Sequence, residues 1–164
     1  MTELYTKPLT KEAFDKYGVY GSFLDPKGPS FAVPDVTCYR DNFVYPQEGN
    51  LTFSTLRCGL KNKIVDNLEY HNHTGEGCMI LDNDCVMCLG IATPTGEPHL
   101  PSVEAFVVPK GTILYIRKGV WHWEPYPIDG TVVTVIVILP ERTYVNDCFV
   151  KPLAKDDQIH MIVD

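Results

Sequence analysis

The sequence predicts an all-β protein, folded as a closed barrel or a double-sheet roll, with one short helix near the N-terminus. Short runs of alternating or β-branched apolar residues recur from residue 51 onward, and clusters of Gly, Pro, Asn and Asp separate them. Only one segment has helical spacing, and no repeat at a fixed period divides the chain. A closed sheet of this kind brings strands that are distant in sequence to opposite sides of one cavity.

Length and composition indicate one folded domain over residues 1–164. Hydrophobic residues make up 45% of the chain and charged residues 21%, as in globular proteins. The formal net charge of −7 argues against a nucleic-acid partner, because phosphate binding needs clustered Lys and Arg. The longest apolar run, over residues 132–139, is too short to cross a bilayer, and the N-terminus lacks the apolar run of a secretory signal. We therefore expect no membrane partner, a cytoplasmic location and six reduced cysteines.

The first fifty residues combine one helix with a long loop. Thr10 caps a helix predicted over residues 11–17, and Gly18 ends it. Residues 18–50 are rich in Gly, Pro, Asp and Asn and predict a loop with one short strand near residues 36–39. A loop of this length is typically a lid, a rim or an oligomer contact. Together with exposed strand edges, it predicts a homodimer.

The barrel strands are predicted from residue 51 onward, over residues 51–58, 78–81, 85–91, 104–108, 112–116, 120–123, 131–139 and 147–151. The first of them alternates cleanly and places Arg57 on the same face as Leu51, Phe53 and Thr55. The segments 78–81 and 85–91 flank a polar Asp82-Asn-Asp84 turn and predict a hairpin. The Asp156-Asp157 pair is interpreted as part of a solvated tail.

Histidines and one glutamate suggest a metal site. His71 and His73 are two residues apart, so on a strand both side chains point to one face. Glu76 has the opposite parity, but the glycines on either side of it could form a bulge that brings it round. His122, in a distant strand, would be the fourth ligand. Imidazole and carboxylate ligands suit Zn, Ni, Mn or Fe, so we predict one divalent ion held by His71, His73, Glu76 and His122. The alternative is that some of these histidines are solvent-facing or structural.

Other residues with chemical potential are assigned to packing. Cys85 and Cys88 have redox or zinc spacing, but three residues apart on a strand they face opposite ways. A second Cys-x-x-Cys motif that would complete a zinc site is absent from the sequence. Trp121 and Trp123 flank His122 and share the face opposite to it, which indicates packing, with Trp123 at the pocket rim.

Several segments resemble the ureidoglycolate lyase family over about residues 7–153. Residues 7–18 look like the family's N-terminal helix, Glu69-Tyr-His71 like its Glu-Arg-His triplet, and Gly119-Val-Trp-His122 like its Val-Trp-His motif. Asn146-Asp-Cys148 is similar to a polar element near the family's end. Where the family has His-Pro-Leu followed by glutamine, this chain has His71-Asn-His73 followed by Glu76, and Trp123 replaces the family's second histidine.

The resemblance implies a cupin fold and the cleavage of ureidoglycolate to glyoxylate and urea, a step of allantoin degradation in purine metabolism. It implies proton transfers by His71 and His122 with Glu76 beside them, and a carboxylate substrate clamped by Arg57. The substitutions strengthen the case for a divalent ion and leave the substrate open, because one fold hosts many activities. The alternatives are a metal-dependent cupin isomerase or lyase for another small hydroxy acid, keto acid or sugar, and a non-catalytic cupin that binds a small acid.

Overall fold

The computed structural model describes residues 1–28, 30–59, 62–129 and 132–163. Within them the chain is almost entirely β, with two four-residue helices, α1 (Lys11–Phe14) and α2 (Thr143–Asn146), and a 3-10 turn at Leu100–Ser102. The strands are β1 (Thr2–Pro8), β2 (Gly18–Ser22), β3 (Phe31–Val33), β4 (Val36–Cys38), β5 (Leu51–Gly59), β6 (Ile64–Val65), β7 (Asn67–Tyr70), β8 (Glu76–Ile80), β9 (Cys85–Gly90), β10 (Glu104–Val108), β11 (Thr112–Ile116), β12 (Trp121–His122), β13 (Tyr126–Pro127), β14 (Val132–Pro140), β15 (Phe149–Pro152) and β16 (Ile159–Ile162).

Two sheets pack to form the body of the protein. The larger sheet has the strand order β15-β7-β12-β9-β10-β1-β16-β6, with β13 also paired to β9, and the smaller has the order β2-β11-β8-β14-β5. Side chains from both sheets meet in one core, to which α1 adds Phe14; its members include Cys78, Ile80, Met87, Leu89, Phe106, Leu114, Val135 and Val137. The predicted all-β fold with a short N-terminal helix is confirmed.

Strand β9 is buried on both faces, which explains its unbroken apolar sequence. Cys85, Met87 and Leu89 face the core between the sheets, whereas Val86 and Cys88 face a second apolar cluster behind the larger sheet. Cys85 and Cys88 thus point in opposite directions, as the strand period requires. Both are fully buried, as the packing assignment predicted.

The predicted hairpin over residues 78–91 is wrong. Strand β8 lies in the smaller sheet between β11 and β14, whereas β9 lies in the larger sheet and pairs with β10, β12 and β13. The polar segment at Asp82 is therefore a crossover between sheets, held by a hydrogen bond from the Thr134 backbone N–H to the Asp82 carboxylate at 2.8 Å. A turn-rich segment between two apolar runs is expected both in a hairpin and in a crossover between sheets. The sequence pattern therefore does not distinguish the two.

The two ends of the chain contribute strands that the sequence pattern did not indicate. Strand β1 runs parallel to both β10 and β16, with Thr2 opposite Ile159. Asp156 and Asp157 are exposed, as predicted, but the chain continues into β16 rather than forming a tail. Helix α1 is capped by Thr10, whose hydroxyl accepts from the Ala13 N–H at 3.2 Å, and is shorter than predicted.

Residues 18–50 are more ordered than the loop prediction implied. Strand β2 extends the smaller sheet by pairing with β11, and β3 and β4 form a separate hairpin that includes the strand expected near residues 36–39. That hairpin exposes Phe31, Val33 and Val36. The homodimer stays a prediction. Of the predicted strand 131–139, Thr131 lies outside the described residues. No helix in the described part of the chain is long and apolar enough to cross a membrane.

Candidate metal centre

Four side chains converge between the two sheets near one end of the barrel. Glu69 lies on β7, His71 directly after it, His122 on β12 and Glu76 at the start of β8 in the facing sheet. One ligand atom from each lies within 4.8 Å of the others. His71, Glu76 and His122 are buried, and the Glu69 side chain is 17% exposed. Among the described residues this is the one group of three or more such side chains with this geometry.

The cluster contains three of the four predicted ligands, with Glu69 in the place expected for His73. Strand β7 ends at Tyr70, so the two-residue period places Glu69 and His71, rather than His71 and His73, on the same face. His122 is directly opposite Glu69 in the sheet. The His73 side chain is 78% exposed and lies 3.0 Å from Asp147 instead. The ligand prediction for His73 is therefore not supported by its position.

Glu76 reaches the cluster by a different route from the predicted bulge. After Tyr70 the chain crosses to the other sheet, and Glu76 begins β8 there. The flanking glycines allow close packing at this crossing. A Cβ on Gly75 would lie 2.4 Å from the Tyr115 ring, and one on Gly77 would lie 2.5 Å from the Tyr45 ring. Side chains at these two positions would push the crossing away from the sheet.

Hydrogen bonds to the backbone fix both imidazole rings. His71 Nδ1 lies 2.7 Å from the main-chain oxygen of Asp147, and His122 Nδ1 lies 2.9 Å from that of Val120. A carbonyl oxygen only accepts, so each Nδ1 carries a proton and donates it. In the neutral rings the lone pair is then on Nε2, and both Nε2 atoms point into the cluster. This arrangement, with Nδ1–H donated to a carbonyl and Nε2 directed into the site, is typical of metal-binding histidines.

The Nε2 atoms of the neutral rings face carboxylate oxygens, and both kinds of atom are hydrogen-bond acceptors. His71 Nε2 is 2.9 Å from Glu76 Oε2, and His122 Nε2 is 3.6 Å from the same oxygen and 3.7 Å from Glu69 Oε1. Among the described residues, His122 Nε2 is the one buried side-chain nitrogen or oxygen without a hydrogen-bond partner. Acceptors converging on one buried point need a proton or a cation between them. The donor set of two imidazoles and two carboxylates therefore fits a divalent metal ion.

Electrostatic interactions within the cluster shift the pKa values of His122 and Glu76. Burial alone would lower the pKa of His122, but its interaction with the Glu76 carboxylate and the charge of Glu69 outweigh this and raise the pKa to about 9. Burial would raise the pKa of Glu76, yet the charge of the nearby His122 ring and the hydrogen bond with His71 lower it well below its ordinary value. Without a metal ion, a proton on His122 thus balances the carboxylates at neutral pH.

Asp147 holds the turn that carries His71. Its carboxylate accepts the backbone N–H groups of Asn72 and His73, both at 2.9 Å, and that of Thr74 at 3.2 Å. Burial of Asp147 would raise its pKa, but these hydrogen bonds and the His73 ring lower it. The same residue accepts from His71 through its main-chain oxygen, so one residue fixes both the turn and the ring. The sequence pattern alone indicates no role for Asp147 beyond the resemblance of its segment.

Arg57 lies away from the cluster. Along β5, Leu56 and Cys58 pack against the core, so the intervening Arg57 points outward and is exposed. The face shared by Phe53, Thr55 and Arg57 is the outer face, and the prediction of an inward-pointing arginine is wrong. The error follows from the alternation, which shows that two faces differ but not which one is buried.

A cavity of about 160 Å³ opens beside the cluster. At roughly 30 Å³ per water molecule, it holds about five waters, so it suits a small substrate. Glu69, Glu76, His122 and a third carboxylate, Glu124, line it together with Leu56, Cys78, Met87, Trp123, Pro125, Val137 and Tyr144. Trp123 thus lies at the cavity, as predicted. No Lys or Arg is among the lining residues that the structure describes.

A larger cavity of about 900 Å³ lies elsewhere, between α1, β2 and residues 24–27 and 40–42. None of the four cluster residues lines it. Its described lining includes both aspartates and basic side chains, and no group of potential metal ligands meets there. The smaller cavity is the candidate site because the clustered titratable groups open onto it.

Two facing β-sheets with histidines and glutamates clustered between them define an all-β protein with a potential metal centre. The chain belongs to the family described as "Domain of unknown function (DUF4867)", whose model matches residues 45–163. Among curated proteins, none matches the sequence. The family description gives no activity, and the resemblance to ureidoglycolate lyase stays a prediction.

The chain is also similar to solved structures. Oxalate decarboxylase from Bacillus subtilis, described with Mn(II) centres, is 14% identical over 63% of this chain and 24% of that chain, with a TM-score of 0.44. The chain thus spans about a quarter of that protein. RmlC from Streptococcus suis, in complex with dTDP-D-xylose, is 14% identical over 54% of this chain and 42% of that chain (TM-score 0.40). A dTDP sugar isomerase from Desulfovibrio desulfuricans G20 is 15% identical over 74% of this chain and 75% of that chain (TM-score 0.43). Identities this low carry no information on activity.

Proposed function

We propose that the chain is a metal-dependent enzyme that acts on a small, neutral hydroxy or carbonyl compound, such as a sugar, as an isomerase or lyase. The observation that carries this proposal is the donor set that opens onto the cavity. Glu69, Glu76 and His122 line the cavity and form, with His71, a cluster that suits a divalent cation. The two carboxylates neutralise the charge of such an ion, so no net positive charge remains to attract an anionic substrate, and a neutral ligand is favoured.

Four residues would hold the ion: Glu69, His71, Glu76 and His122. Both Nε2 lone pairs and one oxygen from each carboxylate face the same point, which suits Zn, Ni, Mn or Fe. A divalent ion bound there supplies Lewis-acid chemistry, polarising a carbonyl oxygen or lowering the pKa of a hydroxyl group.

Glu124 is the best-placed general base. It lines the cavity and does not belong to the four-residue cluster, so its carboxylate is not one of the candidate metal ligands. A carboxylate in that position can take a proton from the carbon next to a carbonyl group and return it to the neighbouring carbon. The apolar walls formed by Leu56, Met87 and Val137 exclude water from this transfer. Tyr144 lines the cavity and is partly exposed, so its hydroxyl is a candidate for positioning the substrate.

Ureidoglycolate cleavage is the second candidate. Two segments that carry the resemblance, residues 119–122 and 146–148, contribute His122, Asp147 and Cys148 to the cluster and its immediate surroundings. Ureidoglycolate is an anion, however, and Arg57 points away from the cavity. The carboxylate of ureidoglycolate would therefore have to bind the metal ion directly.

The deciding experiment compares substrates of different charge. The metal-replete protein and the chelator-treated protein are each incubated with neutral aldoses and ketoses and with ureidoglycolate. Metal-dependent interconversion of a neutral sugar supports the main proposal. Glyoxylate release from ureidoglycolate without sugar turnover overturns it in favour of the second candidate. Saturable binding without turnover of any compound would identify a binding protein instead.

Two variants separate the roles of the residues. Glu124→Gln keeps the shape of the side chain and removes the base, so we expect turnover to fall by about 10²–10⁴-fold with unchanged metal affinity. Arg57→Ala is the matched control on the outer face and should leave both quantities unchanged. Full turnover by Glu124→Gln would show that another group moves the proton.

A further inference from the structure

Two cysteine thiols contact the candidate glutamate ligands, each at the carboxylate oxygen that does not face the histidines. The Cys78 thiol donates to Glu76 Oε1 at 3.1 Å, and the Cys148 thiol donates to Glu69 Oε2 at 3.2 Å. In each glutamate, the other oxygen is the one that faces the histidines. The two carboxylates therefore have the same arrangement, although they belong to different sheets.

The strand geometry explains how each thiol reaches its glutamate. Glu76 and Cys78 are two residues apart on β8, so both side chains point into the space between the sheets. Cys148 precedes β15, which pairs with β7 so that Val150 lies opposite Glu69. Cys148 is two residues before Val150, which places it diagonally across from Glu69 on the same face.

Both contacts have the geometry of a thiol donor and a carboxylate acceptor, with sulfur-to-oxygen distances of 3.1 Å for Cys78 and 3.2 Å for Cys148. A protonated thiol is a hydrogen-bond donor to a carboxylate rather than a competing ligand.

We infer that Cys78 and Cys148 are positioning residues, each turning one glutamate so that a single carboxylate oxygen is presented to the metal ion. The inference rests on the proposed metal-dependent function. A carboxylate with one oxygen engaged by a donor cannot rotate to offer both oxygens to the ion. Hydrogen bonds to ligating carboxylates of this kind typically change metal affinity by about 10–100-fold when they are removed.

Segment 146–148 thereby acts on two ligands at once. The main-chain oxygen of Asp147 accepts the proton of His71 Nδ1, and the next side chain, Cys148, donates to Glu69. Cys148 is half-buried, whereas Cys78 is buried in the core. Substitution at Cys148 therefore disturbs packing less and is the cleaner test.

The test measures metal affinity directly, with Mn²⁺ and Zn²⁺ titrated against a competing chelator. We expect Cys148→Ala and Cys78→Ala each to weaken binding by about tenfold, because a thiol is a weak donor at the low end of the usual range. The double variant should lose about 100-fold, because each thiol acts on a different glutamate. Cys148→Ser keeps a donor of similar shape and should recover most of the affinity. Cys88→Ala is the matched control, since it removes a buried thiol outside the cluster.

The outcomes are separable. If the wild-type protein binds neither ion, both the proposed function and this inference fail. If it binds them and both Ala variants bind like Cys88→Ala, only the inference fails. Binding of Co²⁺ with a sulfur-to-metal charge-transfer band that Cys148→Ser or Cys78→Ser abolishes would also overturn it, because the thiols would then be ligands. Circular dichroism and urea unfolding of each variant confirm that a lost affinity is not lost folding.

Discussion

The metal-free protein should lose stability between pH 6.5 and 9 because of His122. Its pKa is 6.5 in the unfolded chain and about 9 in the folded protein. Below pH 6.5 the ring is charged in both states and its pairing with Glu76 stabilises the fold fully. As the pH rises toward 9, the unfolded state releases the proton while the folded state retains it, so the stabilisation is lost. The difference between these two pKa values corresponds to roughly 3 kcal/mol.

Urea unfolding in the presence of a chelator, at several pH values from 6 to about 10, measures this loss. The free energy of unfolding of the wild-type protein should fall by roughly 3 kcal/mol more than that of His122→Gln, in which no ring titrates. His99→Gln, at an exposed histidine, should follow the wild type. A His122→Gln variant with the same pH dependence as the wild type would refute the charge coupling derived from the cluster.

Three further predictions concern the ion, its ligands and the crossing to β8. A suitable divalent ion at about 100 times its Kd should add about 2.7 kcal/mol and raise the Tm by about 5–10 °C in a thermal scan, and no shift with Zn, Ni, Mn or Fe would contradict the metal assignment. Glu69→Gln should weaken metal binding by more than about tenfold in a chelator competition, whereas His73→Ala should leave it unchanged; the reverse result would restore the ligand set expected from sequence. Gly77→Ala should lower the free energy of unfolding, measured by urea titration, by about 1–3 kcal/mol, because its Cβ would meet the Tyr45 ring at 2.5 Å. Gly59→Ala is the control, because nothing lies within 4 Å of a Cβ at that position.

The fold class followed from the sequence because its signal is local. Alternation and β-branched runs fixed most strands from residue 51 onward, and Thr10 marked the start of the helix. The pairing of the strands was harder to predict. A polar turn such as that at Asp82 has similar residues whether it joins two strands of one sheet or strands of two different sheets. Strands β1 and β16 were missed for a related reason. They pair mainly with distant segments, and nothing in their own sequence shows what lies beside them.

Three of the four side chains that the sequence predicted as metal ligands come together in the structure, and the fourth does not. His71, Glu76 and His122 meet as expected, whereas His73 lies past the end of β7 and Glu69 takes its place. A shift of one strand end by two residues was enough to change the ligand set. Glu69 was visible in the sequence at the same two-residue spacing from His71, and only the position of the strand end decides between the two neighbours. Cys78 and Cys148 carried no signal, since a thiol that donates to a carboxylate has no spacing rule.

The position of β1 has a consequence for synthesis of the chain. This strand lies between β10 and β16, with Thr2 paired to Ile159. Strand β1 is synthesised before residues near position 159, so one of its two edges stays uncovered until those residues are available. Until then β1 is an open strand edge, a template for pairing with another chain. Pairings this far apart in sequence also form slowly. The edge of β1 that faces β16 is therefore covered later than the edge that faces β10, and a chain that ends before β16 leaves it uncovered.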